Sequence, residues 1–151
     1  MMNNVHWKFD TQRYLSLDQF ISDVNKHNQE LADGDEDFHW HHDQIMMNSP
    51  RVAFEYVAWV SGRDQLLTCE VPIDDEETAF APEREQDGLY PVDIHAEVYA
   101  TNRTSFSAGE LLWIAHSLQA NKVLGDHTFF EGFEVINLNA AVPALFIAKS
   151  D

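Results

Sequence analysis

A single cysteine, Cys69, stands in 151 residues, so no intramolecular disulfide can staple this chain. That scarcity suits a reducing compartment. Basic side chains are scarce too: nine Lys and Arg face 26 Asp and Glu, a formal charge of −17. Such a field repels nucleic acid and anionic lipid, and it speeds encounter with a basic partner. Neither direct nucleic-acid binding nor membrane binding is therefore expected. No apolar run approaches the ~18 residues that span a bilayer, and Met1–Lys8 has no apolar stretch of signal-peptide type, so the expected compartment is the cytoplasm. Also missing are a G-x-S-x-G elbow, a Gly-rich phosphate loop and a dinucleotide fingerprint. No cofactor is expected.

What is present is enough for a core. The chain is 44% apolar, with ten Phe and four Trp, which argues against disorder and for one globular domain over residues 1–151. Ser16-Leu17-Asp18-Gln19 forms a capping box, with Leu15 and Phe20 placed for a hydrophobic staple. Leu17, Phe20, Ile21, Val24 and Leu31 then share a face, predicting a helix over 17–31 that Gly34 helps to end. Ser107-Ala108-Gly109-Glu110 repeats the signature, with Phe106 and Leu111 as its staple. The helix it starts buries Leu111, Ile114, Ala115 and Leu118, and Gly125 is its expected stop.

Strand character is expected around Val5, Trp7 and Phe9, at 45–47, over 51–60, over 65–73, over 89–100, over 128–137 and over 142–149. The turn at Ser61–Asp64 predicts that 51–60 and 65–73 pair as a hairpin. Val92, Ile94, Ala96 and Val98 alternate with Asp93, His95, Glu97 and Tyr99, giving one core face and one solvated face. Clustered strands between two helices predict an α+β fold. It has a mainly antiparallel sheet of about five strands with two amphipathic helices, in the order α-β-β-β-α-β-β.

Chemistry-bearing residues concentrate in Asp33–Asp43. Asp33, Asp35 and Asp37 begin like a calcium loop, but Phe38 replaces the turn Gly and Gln44 the closing Glu, which excludes that site. His39, His41 and His42 are candidate zinc ligands that need a further donor such as His95, His127 or Glu97. A metal-binding protein or metal-dependent enzyme using this cluster is the alternative reading. Cys69 has no basic neighbour to activate it and is expected to be a buried structural thiol. Asp93, His95 and Glu97 suit either acid–base work in a cleft or a plain solvated face, and Asp126-His127 is equally ambiguous.

The charge itself is uneven. Residues 1–50 hold three bases and nine acids, 51–100 three and twelve, and 101–151 three and five. Two acidic segments account for much of it: Asp33, Asp35, Glu36 and Asp37, then Asp74, Asp75, Glu76, Glu77, Glu83, Glu85 and Asp87. The second is long for a loop and so either mobile or functional. Phe38, Trp40 and Phe80 lie among them as apolar anchors inside a charged rim, the anatomy of an interface hot spot. In size, acidity and lack of catalytic motifs the chain resembles bacterial or phage inhibitor proteins, namely immunity proteins against nuclease toxins and DNA-mimicking anti-restriction proteins. The resemblance is one of composition, not of motif. It implies a non-enzymatic, acidic protein-binding module that occludes a basic surface of a partner, such as a nuclease or another nucleic-acid-binding protein. A purely solubilising role for the acidity is the competing explanation.

Overall fold

The two serine caps do what their sequences predict. In the computed structural model, which describes residues 1, 2, 4–32 and 38–151, Ser16 accepts from the Gln19 N–H and opens helix α1, Leu17–Leu31. Ser107 accepts from the Glu110 N–H at 3.1 Å, opening a helix over Ala108–Gln119. Each such cap contributes about 1 kcal/mol. Between these two helices, in chain order, lie strands β1 (Ile45–Met47), β2 (Arg51–Val60) and β3 (Glu70–Pro72), the single-turn helix α2 (Glu76–Ala79), and strands β4 (Tyr90–Tyr99) and β5 (Phe106–Ser107). The helix at Ala108–Gln119 is α3, and β6 (Phe129–Asn137) and β7 (Ala144–Ser150) close the chain's secondary structure.

The fold class is α+β, with more elements among the described residues than the sequence predicts: three helices and seven strands in two sheets. The main sheet has the order β3-β4-β2-β7-β6, and β1 and β5 form a separate pair. All its pairings are antiparallel except β2 with β7, which is parallel over Ala53–Glu55 and Ala144–Phe146. No helix among the described residues is long and apolar enough to cross a membrane.

Helices α1 and α3 cover one face of this sheet. Val52, Phe54, Tyr56, Ala58 and Val60 from β2 and Val92, Ile94 and Ala96 from β4 are buried in one cluster with Phe20, Val24, Leu111, Leu112, Ala115 and Leu118. Gly109 lets the layers close. A Cβ there would stand 2.6 Å from Ile21 Cδ1 and 3.2 Å from the His42 carbonyl oxygen, which itself accepts from the Gly109 N–H at 2.7 Å.

Several expectations need correction. Residues 51–60 and 65–73 do not form a hairpin. One edge of β2 is taken by β4 and the other by β7 and by Val123, which bridges to Trp59. Residues 63–65 wind into a 3-10 turn, and the strand shrinks to Glu70–Pro72 outside β4. A short, proline-bearing edge of this kind resists further pairing. Residues 5–9 pair only through a Lys8–Phe129 bridge. Leu15 is 93% exposed, so the first helix has no staple, whereas Phe106 and Leu111 are fully buried at the second. Helix α3 ends at Gln119, well before Gly125, and Gly34 lies outside the described residues.

Buried polar side chains tie the pieces together. Glu70 and Lys122, both fully enclosed, meet at 2.8 Å. Tyr56 donates its hydroxyl to the same carboxylate, and the Leu67 N–H donates at 2.6 Å. Lys122 also donates to the Leu118 carbonyl and to Asn121, both at 2.7 Å. His116, fully buried in α3, sits among the rings of Trp7, Tyr14 and Phe20. Trp7 Nε1–H donates to its Nδ1 at 3.1 Å. The tautomer is thereby fixed, and Nε2–H donates to the Gln12 carbonyl at 2.7 Å. Burial holds this imidazole below its ordinary pKa, partly opposed by the Gln12 carbonyl and Asp10.

Candidate functional site

Alternation along ten-residue strands decides what the second sheet face carries. With the even-numbered residues of β2 and Val92, Ile94 and Ala96 of β4 buried, Arg51, Glu55, Val57, Asp93, His95, Glu97 and Tyr99 point away from the helices. Strand registers continue this face as one row: Val71 opposite His95, His95 opposite Glu55, Glu55 opposite Phe146, and Phe146 opposite Glu134. The row crosses all five strands. Val57 (41%), Val71 (53%), Ile73 (52%) and Tyr99 (67%) remain exposed among the described residues.

Its charges are ordered. His95 Nδ1 lies 3.1 Å from Glu55 and its Nε2 3.8 Å from Glu97. Arg51 reaches Glu97 at 3.6 Å and lies over the Tyr99 ring. These groups form a linked surface network on a flat sheet. The acid–base reading of Asp93, His95 and Glu97 requires a cleft, and none of the three lines any of five well-formed cavities among the described residues.

The acidic segment 74–87 adjoins this face at the β3 edge, and it is built rather than loose. Asp75 accepts from the Thr78 N–H at 2.7 Å and caps α2. That hydrogen bond holds its carboxyl below the ordinary range. Phe80 stacks edge-on to Tyr90 at 5.4 Å. Asp87 and Gly88, both at positive φ, form a tight turn closed by the Gln86–Leu89 bridge, the Asp-Gly signature of a type I′ hairpin. Asp74 approaches Arg84 at 3.7 Å and Glu76 meets Arg63 at 2.5 Å. Glu77, Glu83, Glu85 and Asp87 are exposed and form no ion pair among the described residues.

Of the other residues singled out by sequence, Asp33, Asp35, Glu36 and Asp37 lie outside the described residues. Phe38 is half-buried, its N–H on Gln29 at 2.7 Å. Trp40 packs on the core and donates Nε1–H to Asn25 at 2.7 Å. Phe80 is likewise half-buried and packs against the core. The exposed Val57 and Tyr99 are signalled by the alternation in 51–60 and 89–100. His39 and His41 are exposed, and His42 leans on Trp40. Among the described residues no group of three or more His, Cys, Asp or Glu is gathered to hold a metal ion. Cys69 is exposed, contrary to expectation. Its thiol is pushed up, first by desolvation and then by the Glu70 carboxylate, which disfavours the nucleophilic thiolate.

No family model, curated protein or solved structure matches this chain.

Proposed function

We propose that the protein is a non-enzymatic, acidic binding module of the immunity or inhibitor type. Its open sheet face and the 74–87 arm together cover a basic surface of a partner protein. The observation that carries this reading is a sheet face on which Val57, Val71, Ile73 and Tyr99 are exposed. Asp93 and Glu97 share that face from β4, and Glu77, Glu83, Glu85 and Asp87 are exposed on the 74–87 segment that follows β3. Apolar contacts inside a charged rim are how a specific interface combines affinity with steering. The partner class follows from charge: a surface that repels nucleic acid competes for the basic groove that nucleic acid would occupy.

The test is capture of binding proteins at low and high salt, with DNA added as competitor. A basic protein retained at low salt, displaced by DNA and lost on the Val71→Asp variant supports the proposal. Capture that DNA leaves untouched, or that Val71→Asp leaves unchanged, sinks it.

A further inference from the structure

Strands β2 and β7 are paired over only three residues, then separate. Beyond Glu55 the edge of β2 is met by Val123 instead of by β7, and a cavity of about 420 Å³ opens in the fork. That volume falls within the usual range of small-ligand sites. Val57, Trp59 and Phe146 supply apolar walls, and Lys149 lines the cavity from β7. Two of the Lys149 ammonium protons are already placed, each at 2.7 Å, on the Val57 carbonyl oxygen and on Gln119 Oε1. Gln119 is itself fixed, because its Nε2 donates to the Ala115 carbonyl at 3.0 Å. Both acceptors are neutral, and Lys149 forms no ion pair among the described residues. A cation thus lines a largely apolar cavity with one donor unassigned and, among the described residues, no ion-pair partner.

We propose that this cavity binds a small organic carboxylate, its charged end on Lys149 Nζ and its apolar body between Trp59, Val57 and Phe146. Burial holds Lys149 down to about 8. A bound carboxylate favours the charged amine and opposes that shift. The other ionisable groups lining the cavity are His127, from the loop after α3, and Glu134 on β6. Residues 101–151, which supply all three, hold three bases against five acids, the smallest acidic excess in the chain. The inference does not rest on the partner reading, since its test uses the purified chain alone.

The probes are 2-naphthoate and its uncharged relative 2-naphthamide, followed by titration calorimetry from pH 7 to pH 10. Naphthoate should bind saturably at pH 7, at least tenfold more tightly than naphthamide. Its affinity should fall by about tenfold for each pH unit above 8 as the amine loses its proton. Lys149→Met should remove the preference for the acid while leaving weak binding of both. The wild-type comparison needs no variant to fold. Equal binding of the two probes, no saturable binding of naphthoate at pH 7, or a preference that survives Lys149→Met would each overturn the proposal.

Discussion

Replacing Lys122 by Met is the sharpest test of how the sheet edge is held. The substitution keeps the volume of the stem but removes the ammonium that meets Glu70 at 2.8 Å in a fully enclosed site. Glu70 would keep the Tyr56 hydroxyl and the Leu67 N–H but lose its only counter-charge among the described residues. Breaking a buried ion pair on one side costs about 3–5 kcal/mol. The two surviving donors place the loss near the lower figure, about 3 kcal/mol. For a chain of this size that lowers Tm by roughly 6–12 °C. Urea unfolding at pH 7 reads the free energy directly. The restoring variant is the triple change Glu70→Leu, Tyr56→Phe and Lys122→Met, which removes both charges and the hydroxyl that would otherwise be orphaned. It should recover part of the loss, staying about 1–2 kcal/mol below wild type because the Leu67 N–H loses its acceptor on Glu70. A loss below about 1 kcal/mol for Lys122→Met alone would refute the reasoning. So would a triple variant no more stable than the single one.

Gly109→Ala should destabilise by about 1–3 kcal/mol through overpacking. Ile21→Val, which deletes the Cδ1 atom 2.6 Å from the new methyl, should relieve part of that in a double-mutant cycle. Ser107→Ala should cost about 1 kcal/mol by thermal unfolding, from loss of the cap on α3. For His116 the folded pKa lies below the unfolded one, so the unfolded chain binds the extra proton between them. Its contribution to stability is complete above the unfolded value of about 6.5 and is lost as pH falls toward the folded pKa. The slope is at most about 1.4 kcal/mol per pH unit, and a His116→Phe variant measured at pH 7.5 and 5.5 should show a shallower decline.

The elements legible in the sequence are those whose causes are local. Helix α1 has a serine cap and an apolar stripe within fifteen residues, and β2 and β4 each alternate within ten. Strand partners are a different matter. The 61–64 turn argues locally for a hairpin, yet β4 and β7 compete for the same two edges of β2 from thirty and ninety residues away. Burial of aromatics is equally non-local. Trp40 looks like a surface anchor until Asn25 is found fifteen residues back in α1 to take its N–H. His116 left a readable trace, since it follows Leu112 by four residues and precedes Gln119 by three, on the buried stripe of α3. Ligand histidines gather among acidic neighbours, whereas this one sits among apolar residues. The open row needs registers between five strands, and no single segment encodes them.

The segment around Trp7 and Phe9 has a consequence for the order of events during synthesis. Trp7 hydrogen-bonds His116, 109 residues on, Phe9 takes the Thr128 carbonyl, and Phe130 donates to the Trp7 carbonyl. These rings therefore emerge from a ribosome well over a hundred residues before the surfaces that bury them. At about 5–20 residues per second, they spend several seconds with only Tyr14 and the α1 side chains Phe20 and His27 of their native ring neighbours made. Helix α1 can form in that interval, but Asn28, which will clasp the backbone of His6, has no fixed partner layer to present it against. Closure must wait for α3 and β6, with the loop-closure entropy of a long chain to overcome. In the cell this domain should be a late, all-at-once folder whose nascent form exposes an aromatic segment, and so a natural client for chaperones that hold such segments.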